Sequence, residues 1–133
     1  MNCVYNCRYC FLKGTFENNF PVIFVNDEEM QGEMNNFLSS ENYLPPSPLL
    51  ETKRGNEKLV LYASNYSDLL AMEGMTGFHR SWIPFFEQFE GVMMESRTKC
   101  GNIQPLLDLW FVPKHTEIAF SLNPQEIINH YEK

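Results

Sequence analysis

Cys3, Cys7 and Cys10 lie in the run C-V-Y-N-C-R-Y-C, spaced four and three residues apart. Thiolates are soft ligands, and three on one short loop can hold three corners of a cubane iron–sulfur cluster. The fourth iron is then left without a protein ligand. A four-cysteine set suits a closed electron-carrier cluster, whereas an open iron is a place for something else to bind. The same thiols also suit zinc, with a fourth ligand from Cys100, His79, His115 or His130. A disulfide is the poorest of the three readings, because clustered thiols leave an odd one and the N-terminus reads as lacking a signal segment.

The rest of the composition must supply a scaffold for that loop. With 133 residues the chain is at most one ordinary domain, and 44% hydrophobic residues with 11 phenylalanines are enough for a core. No apolar run approaches the ~20 residues that span a bilayer. A cytoplasmic, reducing location is the default, and an oxygen-sensitive cluster would require it. The net charge is −7, and the only adjacent basic pair is Lys53 and Arg54. Such a chain repels phosphate backbones, so composition gives no support for nucleic-acid binding.

Four strand–helix alternations follow the cysteine loop. The apolar run from Pro21 to Val25 predicts a buried strand, and Asn26 or Asp27 can cap a helix reaching about Leu38. Pro45 to Pro48 ends that unit, and residues 49–58 read as an exposed connection. A second strand is predicted from Leu59 to Ala63. Thr76 is a candidate cap for the helix that carries Trp82, Ile83, Phe85, Phe86 and Phe89, with Pro84 shifting its start or kinking it. Gly91 to Glu95 pairs with a helix from Ile103 to Leu109, and Glu117 to Ser121 with one beginning near Pro124. The class is therefore α/β with a mainly parallel sheet. Polar residues recur at the strand ends: Ser64 and Asn65, then Arg97, Thr98 and Lys99, then Ser121 and Asn123. In parallel α/β folds that edge is where ligands bind, although any strand end meets a polar loop.

With an aromatic, Tyr9, before the last cysteine, the loop resembles the signature of the radical S-adenosylmethionine proteins. The chain as a whole is similar to the spore photoproduct lyase family. The resemblance rests on C-x-Y-N-C-R-Y-C-F-L, P-V-I-F-V-N, S-D-L-L-A-M-E with T-G-F-H, E-S-R-T-K with G-N-I-Q-P-L-L-D-L, and A-F-S-L-N-P-Q-E-I-I, in that order. Several motifs in sequence are more specific than any one. The resemblance implies a partial (β/α) TIM-like barrel of about four strand–helix units, truncated at both ends: residues 1–14 are the cluster-binding loop, 15–58 a strand, helix and proline-rich connection, and 59–133 three further units.

The same resemblance implies roles. Cys3, Cys7 and Cys10 would ligate a 4Fe–4S cluster, with S-adenosylmethionine on the open iron and a reducing electron donor supplying the cluster. Tyr9 and Phe11 would lie beside the adenine and the cluster, plain core packing being the alternative for Phe11. Lys99 would neutralise the carboxylate of S-adenosylmethionine. Ser121 and Asn123 would make polar contacts to the same cofactor, although a strand-end Ser and a helix N-cap Asn are ordinary features. Ser64 and Asn65 stand where many members carry Gly-Glu, and Asn65 stands where the DNA-repair enzymes carry a hydrogen-donating cysteine. Asparagine N–H bonds are too strong for that task. Asp68 keeps the family's acidic position. Thymine-dimer repair, with DNA as partner, is what the namesake activity implies, and Asn65 and the acidic charge weigh against it. Cys100 reads as a buried, unreactive thiol and His79 as helix-surface packing. The rival readings are a zinc-binding module built on Cys3, Cys7 and Cys10, and an inactive remnant that cannot complete a barrel.

Overall fold

The computed structural model describes residues 3–5, 7–15, 22–40 and 59–132. A short helix α1 (Leu12–Thr15) follows the cysteine loop, and α2 (Asp27–Ser39) comes next. Asp27, Glu28 and Glu29 fill the first turn of α2, where the unpaired N–H groups favour negative charge. Asn26 is the N-cap, its carbonyl accepting from the Met30 N–H at 3.1 Å, but its side chain does not cap the backbone; Nδ2 donates instead to Glu29 Oε2 at 3.0 Å. The remaining order is β1 (Leu59–Tyr62), α3 (Glu73–Thr76), α4 (Phe78–Phe86), β2 (Val92–Thr98), α5 (Gln104–Leu107), β3 (Thr116–Phe120) and α6 (Gln125–Tyr131).

The described strands form one parallel sheet in the order β1-β2-β3. Leu59 registers with Val92, Met94 with Thr116, and Thr98 with Phe120. This is the expected α/β class with three strands in place of four. The predicted first strand is corrected: residues 22–25 are without regular structure and exposed, Val25 at 91%. An apolar, β-branched run favours a strand only where a neighbour accepts its hydrogen bonds. The proline-rich connection and residues 49–58 lie outside the described residues.

Packing is concentrated on one face of β2. Val92, Met94, Ser96 and Thr98 alternate inward as a pleated strand requires, and all four are buried. Helix α4 lies against that face, adding Trp82, Ile83, Phe85 and Phe86 to a cluster with Val92, Met94 and Leu38. The rings pack obliquely, Trp82 on Phe85 at 5.4 Å and Phe85 on Phe86 at 5.3 Å between centroids. Offset and edge contacts of this kind suit the negative ring face and positive ring edge.

Thr76 ends α3 rather than starting the next helix. Gly77 takes the left-handed conformation between α3 and α4 (φ 60°), which a side chain would disfavour. Thr76 Oγ1 nonetheless accepts from the Phe78 N–H at 3.3 Å, satisfying one of the first-turn donors of α4. The helix continues through Pro84, forgoing one hydrogen bond.

Candidate functional site

Because the strands are parallel, the residues that follow β1, β2 and β3 share one rim of the sheet. Hydrogen bonds beyond the strands extend it. Ser64 Oγ accepts from the Arg97 N–H at 2.5 Å, and the Ser121 N–H donates to the Thr98 carbonyl at 2.8 Å. The cysteine loop docks at this rim, its Arg8 N–H donating to the Tyr131 carbonyl at 2.8 Å. Between loop and rim lies a cleft of about 210 Å³. Cys3, Tyr5, Cys7, Tyr9, Cys10 and Phe11 line its loop side; Ser64, Asp68, Lys99 and Ser121 line its sheet side.

Eight of the ten anticipated site residues therefore meet in one cleft. Two do not line it. Asn65 is exposed in the turn after β1, and nothing in its placement directs it to the cleft. Asn123 stands behind the wall, its Nδ2 donating to Tyr9 OH at 2.9 Å and to Glu132 Oε1 at 2.5 Å. Nor is Asn123 the N-cap of α6, since Pro124 takes that position. Phe11 is 67% exposed, so core packing does not account for it.

Asp68 builds the turn that presents Lys99. Buried at 4% exposure, its carboxylate accepts from Thr98 Oγ1 and from the Lys99 N–H, each at 2.7 Å, and from the Ala71 N–H at 3.0 Å. Lys99 Nζ in turn donates to Glu132 Oε1 at 2.7 Å and to the Ser121 carbonyl at 3.4 Å, and sits 5.7 Å from the centre of the Tyr9 ring. Burial works against the Lys99 charge, but the Glu132 hydrogen bond prevails and holds the ammonium above its ordinary value. The Lys99 hydrogen bond, followed by that from Tyr9, holds the Glu132 carboxyl below its ordinary value.

The four cysteines are free thiols. Burial first, then the Asp68, Cys10 and Cys7 charges, pushes the Cys3 thiol up. Thiolates gathered this closely repel one another, and a cationic metal centre relieves that repulsion. Among the described residues no three His, Cys, Asp or Glu side chains converge to hold a single metal ion. A zinc ion draws its donors to about 2.0–2.3 Å from one point, whereas a cubane places each thiolate on its own iron. Three thiols lining one cleft are a donor set that fits a cluster. The candidate histidine ligands are also engaged elsewhere. His115 Nδ1 faces the Phe86 carbonyl at 3.4 Å and His130 Nδ1 the Glu126 carbonyl at 2.8 Å.

His79 is not on a helix surface. It is completely buried, with Nδ1 2.7 Å from Glu73 Oε2 and Nε2 2.9 Å from Ser96 Oγ. Burial alone would raise the Glu73 carboxyl, but the His79 side chain and the His79 and Arg80 N–H groups together hold it below its usual range. Buried together, this trio ties the start of α4 to β2. Cys100 lies past the end of β2 and is half-buried rather than buried. Its thiol faces the Asn102 carbonyl at 3.9 Å, and burial first, then the Cys100 thiol, pushes the Tyr5 phenol above its ordinary value. Glu132 and the Tyr5–Cys100 contact escaped sequence reasoning, because both join residues far apart in the chain.

The family described as spore photoproduct lyase matches residues 1–133. The chain matches no curated protein. Among solved structures, it is similar to a spore photoproduct lyase complexed with dinucleoside spore photoproduct (TM-score 0.75, 23% identity), covering 98% of this chain and 35% of that one. A variant of that enzyme with bound AdoMet and dinucleoside spore photoproduct gives a TM-score of 0.74 at 23% identity, over 98% and 34% of the two chains. The chain spans about a third of the length of these structures. At such identities the likeness shows the fold. No described helix is long and apolar enough to cross a membrane.

Proposed function

The chain belongs to the spore photoproduct lyase family, and on that premise we propose that it provides the cluster- and cofactor-binding part of a radical S-adenosylmethionine enzyme, residues 1–133 forming a partial (β/α) barrel core. The observation that carries the reading is the single cleft in which Cys3, Cys7 and Cys10 face Lys99 and Ser121. When bound, a 4Fe–4S cluster and S-adenosylmethionine would supply radical hydrogen-atom abstraction from a substrate.

The chain's own residues bind and orient. Cys3, Cys7 and Cys10 would hold the cluster as thiolates. Lys99, fixed by Asp68 and backed by Glu132, offers an N–H to the cofactor carboxylate, and Ser121 adds a polar contact beside it. Tyr9 and Phe11 present ring surface at the same wall, where an adenine can stack. Solved relatives bind dinucleoside spore photoproduct. For this chain the substrate is proposed only as a C–H bond presented at the cleft. Asn65 offers no S–H hydrogen donor and stands outside the cleft, so thymine-pair repair would need a donor from elsewhere.

Anaerobic reconstitution with iron and sulfide tests the reading. The expected result is broad absorption near ~400 nm and a reduced-cluster paramagnetic signal that S-adenosylmethionine alters, with Lys99→Ala weakening that response. A colourless protein retaining one zinc per chain would overturn it.

A further inference from the structure

Glu132 is outside the cleft yet touches two residues that line it. Its Oε1 accepts from Lys99 Nζ at 2.7 Å, from Asn123 Nδ2 at 2.5 Å and from Tyr9 OH. The three donors come from the turn after β2, the turn after β3 and the cysteine loop. Side-chain exposure is 15% for Glu132 and 21% for Lys99, so water competes weakly for the contact. The neighbouring Tyr131 carbonyl independently accepts the Arg8 N–H of the same loop at 2.8 Å. Residues 131 and 132 thus grip the cysteine loop twice, once through backbone and once through side chain.

We infer that Glu132 is a positioning residue that clamps the cysteine loop to the rim, holding Tyr9 and Lys99 at the cleft wall. All three bonds converge on Oε1, and it is the carboxylate's negative charge that lets one oxygen hold an ammonium and two neutral donors at once. A shorter side chain would not reach the three donors, and a neutral one would hold the ammonium less strongly. Because Tyr9 lies between Cys7 and Cys10, the clamp couples the conformation of the thiol loop to the placement of Lys99. An opposite role, that of an internal carboxylate competing with ligand for Lys99, is disfavoured because Glu132 is not among the residues that line the cleft. The inference rests on the proposed cofactor site for its consequence, but not for the clamp itself.

Two measurements on the full chain keep those apart. Hydrogen–deuterium exchange of the cluster-free protein reads the clamp alone. Glu132→Ala should speed exchange across residues 7–10 by about tenfold, and Glu132→Gln, which keeps an acceptor oxygen, by clearly less. S-adenosylmethionine binding to the reconstituted protein, followed by the paramagnetic signal, should weaken by about tenfold in Glu132→Ala, as expected for a lost charge-assisted hydrogen bond network. Wild-type exchange rates in Glu132→Ala would overturn the clamp. Tighter cofactor binding in that variant would overturn positioning and make Glu132 a competitor. Should Glu132→Ala fail to fold, Glu132→Gln decides: faster loop exchange with weakened binding supports the inference, and unchanged values in both overturn it. Failure of the wild type to assemble a cluster would sink the proposed function, while the exchange comparison would still decide the clamp.

Discussion

Replacing Asp68 by Asn isolates the hydrogen bonding that presents Lys99, because shape and volume are nearly unchanged. The carboxylate accepts from three donors: Thr98 Oγ1 and the Ala71 N–H at Oδ1, and the Lys99 N–H at Oδ2. An amide has one acceptor oxygen. In either orientation its NH₂ group faces a backbone N–H, and Thr98 cannot relieve the conflict alone. The Thr98 hydroxyl oxygen already accepts from the Cys100 N–H at 2.8 Å. At least one buried donor is then unpaired, at a cost of about 1–3 kcal/mol. We expect Asp68→Asn to lose about 2 kcal/mol, which with a typical urea slope of about 2 kcal/mol/M lowers the unfolding midpoint by about 1 M. Equilibrium urea unfolding of the reduced protein, followed by Trp82 fluorescence, measures it. A midpoint within about 0.3 M of the wild type would refute the three-acceptor argument.

Two other perturbations probe the parts that support the rim. His79→Ala leaves Ser96 and Glu73 without their buried partner and should cost about 2–4 kcal/mol in the same urea assay. The Glu73 carboxyl is held low in the folded protein, so its contribution is present above the unfolded value of about 4.3 and is lost as pH falls through the folded value. Acid should therefore destabilise the wild type more steeply than His79→Ala, and parallel pH profiles would rule out the Glu73–His79 bond as the cause. Gly77→Ala meets no atom within 4 Å, so only its φ of +60° is at issue. A loss of about 1–2 kcal/mol is expected, and an unchanged midpoint would show that the α3–α4 junction adapts.

The cysteine loop, the α/β class and the rim were legible because each depends on local pattern. Four-and-three thiol spacing, short apolar runs such as Leu59 to Ala63, and polar residues after those runs all lie within a few positions of one another. Residues 22–25 carry the same strand signal as Leu59–Tyr62, but strand pairing is a long-range property, and it is the second run that registers with β2. His79 read as surface because a lone histidine on an apolar helix gives no hint of Glu73 and Ser96. Glu132 was invisible for the same reason, its closest partner in the chain among the cleft-wall residues being Lys99, 33 positions away.

The aromatic face of α4 packs on Val92 and Met94, in the first half of β2, while the cleft opens past Thr98 at its other end. That separation bears on how such a protein can diversify. Exposed cleft-lining positions such as Phe11 contribute little packing, so exchanging them alters what the cleft recognises with little loss of fold. Asp68 and Glu132 are the exceptions, since each serves several neighbours at once. Lineages sharing this core should therefore drift freely in substrate while changing those two carboxylates rarely, a pattern that comparison of diverged members can score directly.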